Sequence, residues 1–316
     1  MKRWLRKHSS ILATAGVLVA LFTTASLSLE GFCSRYVIAD LVSENAFLGI
    51  AALGMTLVIL SGGIDLSVGS VIGFTTIFTA ALITDYGMPP ILVWVIALTI
   101  GTGYGALMGG VIHAFKLPAF LITLGGLFFA RGMAFVVKRE SIQIEHPFYD
   151  TLGDLTLPIG GGAELSFGAL IFLSMFVVTL TIANLTRFGR NLYALGGSEE
   201  SALLIGLPVA RTRIGVYALS GFCSALGGLA MTLYMDSGNP TNANGLELDV
   251  IAVVVIGGTL LTGGAGSLTG TVLGVLIYST IYQITYFSNL PSSLVTISIG
   301  GLLLAFIAVQ KVLPKG

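Results

Sequence analysis

The sequence predicts an all-α polytopic membrane protein with about ten transmembrane helices, and three observations support this fold class. Hydrophobic residues make up 55% of the chain and charged residues only 9%, whereas soluble domains contain about 25% charged residues. Several long stretches carry no charge and reach the roughly 20 residues that a helix needs to cross a bilayer. Basic residues also concentrate in alternate connecting segments, as the positive-inside rule requires.

Composition also excludes several function classes. Glycine accounts for 42 of the 316 residues, which in a membrane protein indicates closely packed or broken helices. The net charge is zero, so the chain has no basic surface for nucleic acid and none is predicted as a partner. The two cysteines and three histidines are scattered and match no ligand spacing. We therefore expect no metal and no cofactor.

The predicted spans follow from the stretches between charged residues. An apolar run to Leu29 follows the basic segment Met1–Ser10. Because this run is long for a signal peptide and no clear cleavage site follows, we expect a retained first helix. The other stretches are Asn45–Ile64, Leu66–Thr84, Tyr86–Ile112, Leu117–Val137 with only Arg131 charged, Leu165–Thr186, Ile214–Met235, and Val250–Gln310, which has room for three helices.

The distribution of charge predicts cytoplasmic N- and C-termini. With the N-terminus inside, only three basic residues fall outside, together with nearly all of the acidic ones. The inner basic residues are Lys2, Arg3, Arg6, Lys7, Lys116, Arg187, Arg190, Arg211, Arg213, Lys311 and Lys315, and the outer ones are Arg35, Lys138 and Arg139. We expect one transmembrane domain over residues 1–316, with an outer periplasmic loop at 138–164 and an inner cytoplasmic loop at 187–213.

Two glycine-rich stretches align without a gap, LSGGIDLSVGSVIG at Leu60–Gly73 and LTGGAGSLTGTVLG at Leu261–Gly274. Glycine-interrupted segments at matching positions of a repeat indicate a transport path. The sequence therefore predicts two Gly-broken helix pairs that frame a path or gate. Its candidate residues are Gly62, Gly63, Asp65, Ser67, Gly69, Gly263, Gly264 and Gly266.

Two charged residues, Asp65 and Arg131, lie within these apolar stretches, and each has more than one interpretation. Asp65 either caps the following helix together with Ser67, contacts a polar substrate, or is solvated in a cytoplasmic loop. Arg131 extends to the outer interface, pairs with an outer acid such as Glu44 or Asp249, or contacts a polar substrate. Small residues at helical spacing, Gly101, Gly105 and Gly109 in one span and Gly221 with Ala225 in another, predict close helix packing.

Four stretches give the chain a family resemblance: ILSGGIDLSVGS at 59–70, KLPAFLITLGGLFFARG at 116–132, FGRNLYALGG at 188–197 and VVIGGTLLTGGAGSLTGTVLG at 254–274. They resemble the permease subunits of ribose-type ABC sugar importers, in order and along nearly the whole chain. Within that family, ENAFLGIAALGMTLVILSGGIDLSVGS and SIQIEHPFYDTL are most similar to permeases of bacterial galactofuranose importers.

The resemblance implies a multi-pass permease in the bacterial inner membrane that moves a galactofuranose-like or other simple sugar. It also implies three protein partners: a cytoplasmic ABC ATPase, a periplasmic sugar-binding protein, and a second permease copy or paralogue. The inner loop would dock the ATPase, through a helix between Ser198 and Gly206. The coupling residues would be Arg190, Asn191, Tyr193, Gly196, Gly197, Glu199, Leu203 and Gly206, although Ala202–Leu203–Leu204 stands where the family often has a basic residue.

Candidate substrate contacts are Asn45, Tyr282 and Gln283. Tyr282 and Gln283 belong to a polar and aromatic stripe near the outer end of the ninth span, where an interfacial aromatic belt is the alternative. The chain has no phosphate-binding G-x-x-x-x-G-K-[ST] motif, so we predict no ATPase site and no enzyme activity. A self-sufficient secondary transporter is the alternative function, but it would need titratable residues along the path.

Overall fold

A computed structural model describes residues 9–312 of the chain. The helices are α1 (Ser9–Ser28), α2 (Arg35–Ser43), α3 (Ala46–Leu60), α4 (Val68–Ala80) continued by a π-helical turn (Ala81–Asp85), α5 (Pro90–Phe115), α6 (Ala119–Val137), α7 (Pro147–Gly153), α8 (Phe167–Leu185), α9 (Arg187–Gly197), α10 (Glu199–Leu204), α11 (Val209–Met235), α12 (Leu246–Ile256), α13 (Leu268–Phe287) and α14 (Ser293–Val312). Four short strands are β1 (Ile142–Gln143), β2 (Leu157–Gly160), β3 (Ala163–Leu165) and β4 (Ser237–Gly238).

The structure confirms a polytopic helical protein but does not confirm the predicted ten spans. Within residues 9–312, seven helices are long and apolar enough to cross a membrane, and α2 with α3, bent by 51°, form an eighth candidate. Helix α12 has 11 residues, which gives a length of about 16 Å, too short to cross a bilayer core of about 30 Å. Hydropathy cannot distinguish such a half-helix from a full span, because the extended residues that follow it are also apolar.

We name the two ends of the molecule inner and outer after the predicted sides of the membrane. The inner end carries the loop 187–213, and the outer end carries the loop 138–164. The basic residues Lys2, Arg3, Arg6, Lys7 and Lys315, which contribute to the predicted placement of the termini, lie outside the described residues.

Helix α11 lies at the centre of the molecule and packs along α5, α3 and α4. Its closest approach is to α5, because small residues face each other there. A Cβ atom added to Gly101 would lie 2.6 Å from the Cβ of Ala225, and one added to Gly221 would overlap the Gly101 carbonyl. The predicted close packing of these small residues is confirmed.

The outer loop folds over the ends of α5 and α11. The hydroxyl of Tyr149, on α7, lies 3.1 Å from the Thr232 hydroxyl and accepts a hydrogen bond of 3.2 Å from the Trp94 indole. Strand β1 pairs with β4 and strand β2 with β3, both antiparallel. The loop thus contains one short helix and one small hairpin, β2–β3, and its strand β1 pairs with β4 of the segment that follows α11.

Candidate functional site

The two glycine-rich breaks meet at the inner end of the molecule. The Leu60 carbonyl, at the end of α3, accepts a hydrogen bond of 3.0 Å from the Gly264 amide. The aligned residues Gly62 and Gly263 both have left-handed backbone, with φ of 84° and 83°, a conformation that glycine adopts at little cost. A Cβ atom on Gly263 would lie 2.8 Å from the Cα of Gly62. The two predicted breaks therefore meet through Gly62, Gly263 and Gly264.

The end of α9 packs into the same place. A Cβ atom on Gly196 would overlap the Leu60 carbonyl, and one on Gly264 would lie 2.8 Å from the Cα of Gly197. The Tyr193 hydroxyl also donates to the Gly266 carbonyl at 3.3 Å. Three backbone segments thus touch with no side chain between them. We call this contact the glycine junction, formed by Gly62, Gly196, Gly197, Gly263 and Gly264.

Asp65 ties the first break to the central helix. It is only 1% exposed. Its Oδ1 accepts hydrogen bonds from the Ser67 amide at 3.0 Å and the Ser67 hydroxyl at 2.6 Å, and its Oδ2 accepts one from the Ser220 hydroxyl of α11 at 2.8 Å. Three donors satisfy a buried carboxylate well. This burial is inconsistent with solvation in a loop, and the bond to Ser220 holds the break against α11. Ser67, the residue before α4, makes no side-chain cap hydrogen bond of its own.

Ser220 is a site residue that sequence reasoning missed. It lies 155 residues from Asp65 along the chain, and hydropathy carries no information about contacts at that separation. The available signal was the pair of hydroxyls at Ser220 and Ser224, one turn apart in an otherwise apolar span. Hydroxyls at such positions often bond across helices in membranes.

Gly69, on α4, lets the start of α12 approach closely. A Cβ atom on Gly69 would lie 2.6 Å from the Ala243 carbonyl and would overlap the Glu247 carboxylate. Gly69 is therefore a packing position between α4 and the outer segment before α12. It does not reach the glycine junction, so the predicted path residues divide between two places.

Arg131 holds the same outer segment through hydrogen bonds to backbone carbonyls, a contact that none of the predictions named. Its Nη1 donates to the Pro240 and Asn242 carbonyls at 2.6 and 2.8 Å, and its Nη2 contacts the Gly69 and Ala243 carbonyls at 3.4 and 3.3 Å. The irregular backbone before α12 leaves carbonyls without helical partners, and a guanidinium has five donors to satisfy them. Neither predicted acid makes these hydrogen bonds.

The three candidate substrate residues do not share one surface. The Asn45 amide donates to the Ser279 hydroxyl at 3.2 Å, and the Gln283 amide donates to the Glu44 carboxylate at 2.8 Å. Both side chains are buried and hold α13 against the α2–α3 corner. Tyr282 points away from that contact and is 43% exposed. Of the three, Tyr282 is the one whose side chain is open to a ligand.

The inner loop contains the predicted helix. Helix α10 begins after Ser198, whose hydroxyl accepts a hydrogen bond from the Ser201 amide at 3.2 Å. The helix ends before Gly206, which has a φ of 76°. The predicted helix between Ser198 and Gly206 is therefore confirmed, with a serine cap at its start and a left-handed glycine after its end.

One side of α10 presents an unpartnered apolar surface. Leu203, Leu204 and Ile205 are exposed, whereas Ala202 packs beneath them. Of the predicted coupling residues, Arg190, Gly197, Glu199, Leu203 and Gly206 are exposed, and Asn191, Tyr193 and Gly196 are partly buried beside the glycine junction. The loop therefore links an exposed apolar surface to the junction. Residues 9–312 contain no cluster of three or more His, Cys, Asp or Glu side chains that could hold a metal.

Comparisons with known proteins show the family of the chain. A family model described as "Branched-chain amino acid transport system / permease component" matches residues 37–307. The chain is 46% identical to the Escherichia coli inner membrane ABC transporter permease protein YjfF over 97% of its own length and 93% of that protein's. It is 38% identical to the Bifidobacterium longum fructose import permease FruG, with coverage of 87% and 82%. It is 36% identical to the Escherichia coli ribose import permease RbsC, with coverage of 87% and 84%. No solved structure matches the chain.

Proposed function

The chain belongs to this family of permease components, which form the membrane subunits of ABC transporters, and we propose that it carries a monosaccharide across the bacterial inner membrane. Two relatives, a fructose import permease and a ribose import permease, support a simple sugar as the substrate. A galactofuranose-like sugar is the specific substrate we propose. The family description names branched-chain amino acids, so such an amino acid is the second candidate.

The partners follow from membership of an importer family. A permease of this kind works with an ATPase and a substrate-binding protein, and we propose that the inner loop docks the ATPase. The exposed apolar surface of α10 supports this role, because isolated apolar surface outside a membrane span marks an interaction site. We also propose that the permease pairs with a second copy or a paralogue.

The glycine junction is the single observation that carries the proposed mechanism. It places the loop that would dock the ATPase in direct backbone contact with both glycine-rich breaks. Movement of α9 and α10 on ATPase closure would therefore act on the two breaks together, since no flexible side chain lies between them to absorb it. We propose that this contact couples ATP hydrolysis to the opening of the path.

Reconstitution into proteoliposomes tests the function. We expect no accumulation of sugar with this protein alone, and ATP-dependent uptake once the ATPase, the binding protein and any second permease are added. Competition between galactofuranose, ribose and leucine for the uptake then identifies the substrate class. Uptake driven by a proton or sodium gradient with this chain alone would contradict the proposal and support a secondary transporter.

A substitution in α10 tests the docking surface. Leu203→Asp places a charge in the proposed interface, and loss of one buried leucine contact weakens binding by about 1.5–3 kcal/mol. We therefore expect at least about tenfold weaker association with the ATPase in pull-down titrations, with an unchanged unfolding temperature because Leu203 is exposed. Leu155→Asp, at an exposed leucine of the outer loop, is the matched control. Equal association for both variants would place the docking site elsewhere.

A further inference from the structure

A cavity of about 470 Å³ opens at the inner end, between the end of α3, the turn between α5 and α6, and the inner loop. Its lining includes Ser61, Gly63, Lys116, Ala119, Arg213 and Tyr217. Gly62 of the glycine junction and Glu199 and Leu203 of α10 also belong to the lining. The lining therefore combines apolar residues with two basic side chains and one acidic side chain.

Tyr217 presents an unused donor at this cavity. The residue is 1% exposed, and its hydroxyl has no hydrogen-bond partner among the described residues. The hydroxyl lies against Gly63, where a Cβ atom would overlap it. Buried hydroxyls in native structures are almost always hydrogen-bonded. This one therefore indicates a ligand atom that accepts a hydrogen bond.

The charged side chains that line the cavity are Lys116, Arg213 and Glu199. Arg213 precedes Tyr217 by one helical turn on α11 and pairs with Glu199 at 2.6 Å, so these two charges compensate each other. Lys116, an exposed residue that ends α5 in left-handed conformation, forms no ion pair with another residue of the part of the chain that the structure describes. The start of α6, at Ala119, adds a helix N-terminus that no side chain caps, and such an end favours negative charge.

We propose that this cavity binds a phosphate group. Lys116, the first amides of α6 and the Tyr217 hydroxyl supply donors, and the Ser61 hydroxyl lies within the same lining. The phosphate would belong either to an anionic phospholipid of the inner leaflet or to a soluble phosphorylated compound. Phe115, Leu117 and Phe120 are exposed around the opening, where acyl chains would pack.

Thermal unfolding of the full-length protein in nanodiscs tests the site. The probes are phosphatidylglycerol mixed into phosphatidylcholine, and inorganic phosphate added to pure phosphatidylcholine discs. The variants are Lys116→Gln and Tyr217→Phe. Lys138→Gln, at the outer end beside Asp85, and Tyr86→Phe, at an exposed tyrosine, are the matched controls.

We expect the effective probe to raise the unfolding temperature of the wild type and of both controls. In each cavity variant, the half-maximal probe concentration should rise about tenfold, as for loss of one hydrogen bond to a charged group. A response to phosphatidylglycerol alone identifies a lipid headgroup, and an equal response to inorganic phosphate identifies a soluble anion. Wild-type responses in both cavity variants, or no response of the wild type to either probe, would overturn the proposal. Because Lys116 is exposed, its variant folds even if the tyrosine variant does not.

Discussion

At the residue scale, Asp65 holds the break between α3 and α4 with donors from two parts of the chain. Ser67 supplies an amide and a hydroxyl from the break itself, and Ser220 supplies a hydroxyl from α11. A buried carboxylate with one donor fewer would leave an acceptor unpaired, which is unfavourable. The residue thereby fixes the position of the break relative to the central helix.

Substitutions at Asp65 distinguish a structural role, as a hydrogen-bond acceptor, from a role that needs its negative charge. Asp65→Asn keeps an oxygen for the Ser67 donors and offers its amide to Ser220, so we expect nearly wild-type uptake and stability. Asp65→Leu leaves three donors unpaired at about 1–3 kcal/mol each, and we expect a lower unfolding temperature and loss of uptake. Asp85→Leu, which breaks an exposed ion pair worth about 0–1 kcal/mol, is the control. An inactive but stable Asp65→Asn would show that the charge itself matters.

At the scale of elements, α9 is the helix on which the proposed coupling depends. In its last turn, glycine backbone rather than side chains contacts α3 and the break before α13. Gly196 must be glycine at this contact, because a Cβ atom there would overlap the Leu60 carbonyl. Its neighbour Gly197 has no atom within 4 Å of an added Cβ. Alanine substitutions at Gly196 and Gly197 therefore compare a methyl group inside the junction with one in open space.

We expect Gly196→Ala to destabilise the glycine junction by about 1–3 kcal/mol, as overpacking does in other closely packed contacts. ATP-dependent uptake should fall sharply while the ATPase still associates. Gly197→Ala should leave both uptake and unfolding temperature near wild type, since the methyl group enters open space. Equal effects of the two substitutions would mean that contact at the junction does not transmit the movement.

At the scale of the whole molecule, both broken helix pairs and the inner loop converge on the inner end. The two ends of the first break face different environments. Ser61 lines the inner cavity, whereas Ser67 is buried against Asp65. If the path opens and closes at this end, the accessibility of the first break must change with the state of the ATPase.

Cysteine labelling measures this change. In a Cys33→Ser background, which removes the exposed cysteine and leaves the buried Cys223, we expect Ser61→Cys to react with a small aqueous thiol reagent in the nucleotide-free complex. Ser67→Cys should react far more slowly in that state. Trapping the complex with ATP should change the Ser61→Cys rate. An identical rate in both states would exclude the inner end as the moving gate.

The sequence alone determined the class of protein, the positions of most spans and the cap and end of the inner-loop helix. These features depend on local chemistry: the length of charge-free stretches, the preference of Ser198 for a helix start, and the left-handed tendency of Gly206. The repeat of glycine-rich stretches was also visible as a pattern, and it correctly marked two irregular segments.

Only the tertiary structure decided that the two repeats touch each other and the end of α9, that Asp65 pairs with Ser220, and that α12 stops halfway. The contact of Leu60 with Gly264 joins residues about 200 positions apart, and the bond from Asp65 to Ser220 joins residues 155 positions apart. Hydropathy and spacing describe each segment by itself. Which segments meet depends on how closely glycine backbones and buried donors pack together, and that is a property of the folded molecule.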